Sequence, residues 1–504
     1  MGRPLGKKDK QNLQNQKIVS PALNPKLTLL KLIKMAKKFY ITTPIYYVND
    51  KPHIGHTCTT VAVDIVARYQ KLLGKKVFFL TGTDEHGAKV AEAAEKANLS
   101  PKRFCDKISL IFKNIWPRLN IQYDYFVRTT NPKHEKIVQE VIEKIYKKGD
   151  IYKAKYEGLY CVGCEKFITE SELADGKCPL HPNKKIQKQS EENYFFKLSK
   201  YVPQLIKSIE NKNDKNHYQI SPPEKRKEIL SKLKTGINDL SISRANVPWG
   251  ITIPWDKTQT IYVWIDALLN YYSALKITDK EKLWPADTHF VAKDIFWFHT
   301  VIWEAMLLSA GLPLPREVFV HSFYTIDGQK MSKSLGNVIT PEALLKKFGV
   351  DGTRYLIASS FPYTNDRDVG WQKFTEKYNT DLANGLGNLV SRVAKLCQNS
   401  DFSFKSTKVS LCKRYQKYME KYQFELALDR VWQFISQADR KINQEKIWEQ
   451  KDEKLRQSLQ SLANQVRRIA YHLRPFLPET TEKIEKQFQG PKIKAEKPLF
   501  PRIK

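Results

Sequence analysis

No stretch of this chain stays apolar for the roughly 20 residues that a membrane-spanning helix needs, which excludes a helical membrane protein. The first 38 residues also lack the apolar core of a secretory signal, because the short run Leu27-Thr28-Leu29-Leu30 is cut off by Lys31. Cysteine is scarce, at 7 residues in 504. The odd number, with three of them clustered, argues against a disulfide framework and for a reducing, cytoplasmic setting. Internal repeats and long low-complexity tracts are absent. Acid is in deficit: 53 Asp and Glu stand against 85 Lys and Arg, a net charge of +32.

What is present is a chain long enough for two to four domains, 41% hydrophobic and 12% aromatic, and so able to bury large cores. The basic excess is mostly lysine and is spread along the chain. It fits an acidic polymer partner, RNA foremost, or a compositional bias toward lysine. Residues 1–38 carry ten Lys and Arg against a single acid, Asp9. They read as a disordered basic arm, as an organelle transit peptide, or as an extension upstream of a start at Met35.

The stretch from Thr42 to His56 follows the apolar run Phe39-Tyr40-Ile41 and precedes a helical pattern, Val61, Ile65, Val66, Tyr69, Leu72 and Leu73, closed by Gly74. Val77-Phe78-Phe79-Leu80 then reads as a buried strand. Strand, loop, helix and strand in this order open a nucleotide-binding α/β unit. His53 and His56 flank Ile54-Gly55 where the helix begins. Its unpaired N–H groups and dipole favour a phosphate there, and Gly55 permits close approach. Alone, the segment reads equally as a turn with two surface histidines. Far downstream, Lys330-Met331-Ser332-Lys333-Ser334-Leu335-Gly336-Asn337 lies on an expected loop after Val318-Phe319-Val320 and brings ammonium groups suited to a polyphosphate.

Thr81-Gly82-Thr83-Asp84-Glu85-His86-Gly87 ends the second strand. Asp84 there suits either a substrate ammonium group or a helix N-cap. Residues 90–148 read as amphipathic helix broken at Trp116-Pro117 and Asn131-Pro132. Cys161-Val162-Gly163-Cys164 and Cys178-Pro179-Leu180-His181 are separated by 13 residues. Two close ligand pairs suit tetrahedral zinc in a closed, structural site. Ile261-Tyr262-Val263-Trp264 reads as a resumed buried strand, and His289 to Ile295 as another, ending in charges. Trp297, Phe298, His299 and Trp303 lie along a helix and form either core or the wall of an apolar pocket suited to a thioether. From about residue 340 the pattern is helical, with no strand of note. Asn388 and Arg392 share a helix face. With Trp448 they serve either helix packing or the reading and stacking of unpaired bases.

His53-Ile54-Gly55-His56 together with Lys330-Met331-Ser332-Lys333-Ser334 resembles the paired signatures of class I aminoacyl-tRNA synthetases. From about Phe39 to about residue 480 the chain resembles the methionyl-tRNA synthetases of the bacterial kind with one zinc knuckle. The resemblance implies an α/β fold: a split Rossmann-like parallel-sheet domain with a zinc-knuckle insertion, followed by an α-helical bundle. The implied division is a basic extension (1–38), the two halves of the catalytic domain (39–131 and 261–323), and a connective insertion (132–260, knuckle about 156–190). A stem-contact region (324–378) and an anticodon-binding bundle (379–504) follow.

The implied reaction activates methionine with ATP and passes it to tRNA(Met), initiator and elongator, with Mg²⁺ accompanying ATP. By the same resemblance His53, Gly55, His56, Asp294, Lys330, Ser332 and Lys333 bind ATP, with His53, His56, Lys330 and Lys333 catalytic. Ile45, Tyr47, Asp84, Trp264, Ala267, Leu268, Tyr271, Ile295, His299 and Trp303 hold methionine, Asp84 taking its amino group. Asn388, Arg392 and Trp448 read the anticodon, and Cys161, Cys164, Cys178 and His181 hold zinc. The chain departs from the pattern at Ala292, where glycine is usual, and at Ile447, where proline is common. It also ends soon after the bundle, which suggests a monomer. A synthetase for leucine or valine would need a large editing insertion, for which the segment between Gly87 and Tyr262 has little room. A cysteine enzyme would want thiolates where this chain has aromatics. A non-catalytic RNA-binding relative would have lost the histidine and lysine signatures. The knuckle reading predicts one zinc per chain by metal analysis and a loss of zinc in Cys161→Ser.

Overall fold

Strand β1 (Lys38–Tyr47) is apolar on both faces and is buried over most of its length. Such a strand belongs inside a parallel sheet covered by helices. In the computed structural model it pairs with β2 (Lys76–Asp84) on one side, and the register shifts between Thr42 and Ile45, around Pro44, which has no N–H to give the ladder. The structure describes residues 37–504 except 162, 164, 165, 169, 171, 172, 180, 181, 246 and 332–335. Between β1 and β2 runs α1 (Ile54–Leu72), ended by Leu73 and by Gly74 at φ 82°. Helices α2 (Ala88–Lys96) and α3 (Pro101–Arg118) lead to β3 (Tyr125–Arg128), and α4 (Pro132–Lys147) follows. Pro117 stands inside the last turn of α3 and does not break it earlier.

An antiparallel sheet comes next, with β4 (Ile151–Cys161) flanked by β5 (Lys166–Ile168) and β6 (Ile186–Phe196). After α5 (Val202–Glu210), the short β7 (Gln219–Ser221) leaves this layer and pairs in parallel at the edge of the main sheet. Helix α6 (Pro223–Lys234) follows, then the short strands β8 (Leu240–Ser241), β9 (Ser243–Arg244), β10 (Thr252–Ile253) and β11 (Asp256–Ile261). The run Ile261–Trp264, expected as one buried strand, divides. The strand ends at Ile261, and α7 (Val263–Ile277) starts at once, with the N–H groups of Ile265 and Asp266 bonded to the Tyr262 carbonyl. Helix α7 is buried on nearly every side, so its apolar run carries no helical stripe to distinguish it from a strand.

Strand β12 (Thr288–Ala292), a π-helical turn (Phe298–Ile302), α8 (Trp303–Ala310) and β13 (Glu317–His321) complete the main sheet. Its order is β3-β2-β1-β12-β13-β7, parallel throughout. The order reverses between β1 and β12, so a crevice opens at the carboxyl ends of these two strands. A hairpin of β14 (Tyr324–Ile326) and β15 (Gln329–Lys330) is joined, beyond α9 (Pro341–Ser359), by β16 (Arg367–Val369). This three-residue strand lies where only helix was expected; too short to show alternation, it is defined by its pairing with β14.

The remainder is helical: α10 (Trp371–Lys377) runs through a π-helical segment (Tyr378–Gly387) into α11 (Asn388–Gln398). Helices α12 (Lys413–Met419), α13 (Phe424–Gln444), α14 (Asp452–Leu473) and α15 (Pro478–Gln487) complete it. None of the described helices is long and apolar enough to cross a membrane.

The core on the α1 face of the sheet continues without interruption into the helical region, from Ile65 and Phe112 through Leu356 to Leu473. Arg354 of α9 crosses this junction fully buried. Its guanidinium lies 2.6 Å from Asp64 of α1, also fully buried. It donates as well to the carbonyls of Leu119, Pro475 and Phe476 at 3.2, 3.0 and 3.0 Å. Asp64 keeps a second partner in Arg68 at 2.7 Å, but loss of Arg354 removes one charge from a buried ion pair and the donor to three carbonyls. Arg354→Ala is therefore expected to cost roughly 3–5 kcal/mol of stability, read as a fall in the urea unfolding midpoint.

Candidate active site at the sheet switch point

The first turn of α1 faces the crevice, and its sequence satisfies its own end. His53 is the N-cap, with extended backbone at φ −129° and ψ 176°. Its Nδ1 accepts from the Gly55 N–H at 3.1 Å, and the His56 Nδ1 accepts from the His53 N–H at 3.2 Å. A ring nitrogen that accepts carries no proton, so a neutral ring places its proton on Nε2. The two rings stack at 3.8 Å between centroids, and His56 is walled by Tyr46 at 4.8 Å and Phe112 at 5.3 Å. Burial, and then the neighbouring His53, hold the His56 pKa well below its usual value. His56 is thus a neutral hydrogen-bond donor.

The chain at the two edges of the second motif lies beside the first. The Ile54 N–H donates to the Ile339 carbonyl at 2.8 Å. Met331 Cε lies 3.9 Å from where a Cβ on Gly55 would stand. Lys330 closes the β14–β15 hairpin, and Asn337 Nδ2 donates to its carbonyl at 3.3 Å. The hairpin is held by Asp368, whose Oδ1 accepts from Thr325 Oγ1 at 2.8 Å and from the Gly328 N–H at 2.6 Å. Asp294, just beyond β12, faces solvent. Surrounding protein atoms still raise its pKa, and Lys293 and Lys330 oppose the rise. Ser332 and Lys333 lie outside the described residues.

The residues expected to hold methionine fall on β1, β2, α7 and the β12–α8 segment around the same crevice. Tyr47 and Asp84 are register partners at the ends of β1 and β2. Asp84 is buried, and its charge adds to the burial that raises the Tyr271 pKa. His299 Nδ1 donates to the Ile295 carbonyl at 3.0 Å, so Nε2 accepts the Tyr271 hydroxyl at 2.7 Å. Burial pushes the His299 pKa down to about 4. Trp303 is fully buried, 6.1 Å from Tyr271 between ring centroids, while Trp264 stacks on Phe298 at 4.1 Å. Ala267 and Leu268 are buried on α7, and Ile45 packs against the same core. A small cleft of about 20 Å³ lies between His86, Gly87, Trp249 and Tyr262. A larger cleft of about 690 Å³ is in the helical region, between residues 407–412 and α14. It touches none of the predicted site residues.

In the helical region, Arg392 donates to Asp439 at 3.3 Å and to Asn443 at 2.8 Å, near the end of α13. Trp448 follows α13 in a single 3₁₀ turn and is 54% exposed, and Asn388 is exposed one turn before Arg392. Cys161 and Cys178 are buried in one small cluster with Ile168. Cys164 and His181 lie outside the described residues, among which no group of three or more metal-ligating side chains is gathered.

Sequence reasoning missed a buried network behind the crevice. Asp266 takes His86 Nδ1 at 2.7 Å on one oxygen and His134 Nε2 at 2.6 Å on the other. Glu85, next to His86, is buried and paired with Arg128 at 2.7 Å. Asp266 and His134 are 132 positions apart, so no local spacing could have joined them.

A protein of Caldanaerobacter subterraneus subsp. tengcongensis named methionine–tRNA ligase is 41% identical over 511 residues, 93% of this chain and 79% of its own length. One of the same name from Nostoc sp. is 41% identical over 482 residues, 90% of each chain. The chain belongs to the methionine–tRNA ligase family. A family model described as tRNA synthetases class I (M) matches residues 39–189 and 172–394, and one described as the anticodon-binding domain of tRNA ligase matches 405–502. The structure of Mycobacterium tuberculosis methionyl-tRNA synthetase in complex with methionyl-adenylate superposes with a TM-score of 0.84 at 33% identity, over 92% of this chain and all of that one. The apo form of the same protein gives 0.79 at 29% identity, over 93% and 99%. Both signatures of the methionine–tRNA ligase family fall within the class I match, as do Asn388 and Arg392; Trp448 falls within the anticodon-binding match.

A Cβ at Gly55 would stand 2.9 Å from His53 Cε1 and 3.1 Å from Nδ1. Gly55→Ala is therefore expected to push the His53 ring off its stack on His56 and to slow amino-acid activation about tenfold or more, with the unfolding midpoint little changed.

Proposed function

We propose that this chain joins L-methionine to tRNA(Met), initiator and elongator, in two steps at the crevice between β1 and β12. In the first, a methionine carboxylate oxygen attacks the α-phosphorus of ATP, and the bond to the bridging oxygen breaks, giving methionyl-adenylate and pyrophosphate. In the second, the terminal ribose hydroxyl of the tRNA attacks the methionyl carbonyl carbon. AMP leaves, and the hydroxyl proton passes to solvent or phosphate. The observation that supports this reading is that the chain at the two edges of the second motif, Met331 and Ile339, lies beside the first turn of α1, where the Ile339 carbonyl accepts from the Ile54 N–H.

Such a substitution needs positioning and charge neutralisation and no covalent nucleophile. His53 and His56 hold the triphosphate through Nε2–H, Gly55 lets it approach, and Lys330, Ser332 and Lys333 take up charge on the leaving pyrophosphate. Mg²⁺ bound with ATP supplies further neutralisation. Asp294 meets the ribose. Asp84 takes the methionine ammonium group. Ile45, Tyr47, Trp264, Ala267, Leu268, Tyr271, Ile295, His299 and Trp303 surround the thioether, with His299 and Tyr271 locked to each other at 2.7 Å. A neutral His299 in an apolar wall suits an uncharged side chain.

Asn388, Arg392 and Trp448 read the anticodon at the far end of α13. Cys161, Cys164, Cys178 and His181 would hold a structural zinc, whose thiolate and imidazole chemistry the two buried thiols suit. The division of labour follows the expected segments: catalytic halves at 39–131 and 261–323, insertion at 132–260, stem contact at 324–378 and anticodon reading at 379–504. A cytoplasmic monomer is the proposed setting.

Methionine-dependent ATP–pyrophosphate exchange tests the reading. Exchange with methionine, and none with leucine or cysteine, is the expected result. Lys333→Ala should reduce it about a hundredfold or more at unchanged stability, and an unaltered rate would remove this loop from the mechanism.

A further inference from the structure

The buried network at Asp266 lies behind the residues assigned to methionine and has no part in the reaction as described. Asp266 is in the first turn of α7, directly before Ala267 and Leu268, and is 1% exposed. His86, its first partner, is two residues after Asp84 on the loop that ends β2. Its second partner, His134 of α4, donates to it from Nε2 and meets Ser273 Oγ of α7 with Nδ1 at 2.6 Å. The same loop is held from the other side: the Glu85 carboxylate pairs with Arg128, the Glu85 carbonyl accepts from Trp249 Nε1 at 2.6 Å, and the Gly87 N–H donates to the Trp249 carbonyl at 3.0 Å. One carboxylate therefore joins the loop that bears the amino-group ligand to the helix that bears the side-chain pocket.

We propose that Asp266 is a positioning residue for methionine activation: through His86 it fixes the distance between Asp84 and the α7 wall of the pocket. This rests on the function proposed above. A salt-bridged hydrogen bond between two nearly inaccessible side chains is short, directional and little screened, so it tolerates small displacement. The amino group and side chain of one small substrate must be met at once from two different elements, and an error of an ångström between them weakens binding. Asp266 touches no substrate, so its removal should act on methionine binding before turnover.

Titration of His86 is part of the link. Around it stand Asp266 of α7, Glu135 and His134 of α4, Glu85 and Asp84 of its own loop, and Arg244, which lines the same small cleft. Glu135 lies 3.7 Å from His86 Nε2. Burial lowers the His86 pKa, but Asp266 and then the glutamates outweigh it and set the pKa above the ordinary 6.5. The charged link is thus fully present below the ordinary imidazole pKa and weakens as pH rises through the raised, folded value.

Asp266→Asn keeps the size of the side chain and removes its charge. In pyrophosphate exchange it is expected to raise the methionine KM about tenfold or more, with the ATP KM within about twofold and the melting temperature within a few degrees. In the wild type the methionine KM should rise on the alkaline side, and in Asp266→Asn that rise should begin at lower pH. His86→Gln, which leaves Asp266 bonded to His134, should raise the methionine KM and flatten the alkaline rise, and it carries the comparison should Asp266→Asn fail to fold. Equal changes in both KM values, or lost thermal stability with the pH profile unmoved, would show a structural role only and overturn the proposal. Methionine titration followed by tryptophan fluorescence reads the same link without turnover. A wild type that binds methionine but gives no exchange would therefore count against the proposed reaction, and weaker binding in Asp266→Asn would still support the positioning role.

Discussion

The buried cation of Arg354 sets the terms for the rest of the molecule. A guanidinium with no exposure must find a carboxylate and several carbonyls or be excluded from the core. It finds them on three separate pieces of chain: Asp64 in α1, Leu119 after α3, and Pro475 and Phe476 after α14. The same helix whose first turn presents His53 and His56 is thereby bonded at its middle to α9 and to the end of α14. The apolar core runs through the same junction.

At the crevice the geometry distinguishes two kinds of electrostatic help. His56 is kept neutral by its own packing, so it contributes directed donors whose positions are fixed by the helix end. In the proposed reaction the lysines contribute charge, and Lys330 sits on a hairpin pinned by Asp368. Directed dipoles cost no reorganisation as charge develops, while ammonium groups neutralise it. The sequence shows both residue types but not their protonation, which depends on Tyr46 and Phe112 closing over His56.

Elements with a strong local signal were legible from sequence. The β1–α1–β2 unit has continuous apolar strands, a helical stripe and a terminating Gly74, and it lies where the pattern placed it. Both signature motifs were legible as motifs, and their convergence on one ATP came from the resemblance alone, since tertiary structure and not local sequence brings Met331 and Ile339 beside the first turn of α1. The Ile261–Trp264 run was misread because α7 is buried all round and has no polar face to reveal its period. Strands β7 and β16 have three residues each, too few for alternation, and exist because of the strands they join. The Asp266 network escaped notice because its members come from three distant segments, each with an ordinary composition.

Strand β7 carries a further meaning. It comes from the middle of the segment that interrupts the sheet, yet it hydrogen-bonds to β13 and forms the sheet's outer margin. The interruption is therefore no detachable ornament on a self-sufficient nucleotide fold. Cutting it out would leave the backbone of β13 bare along one side, an open invitation to intermolecular pairing. The core and its interruption therefore complete one sheet between them.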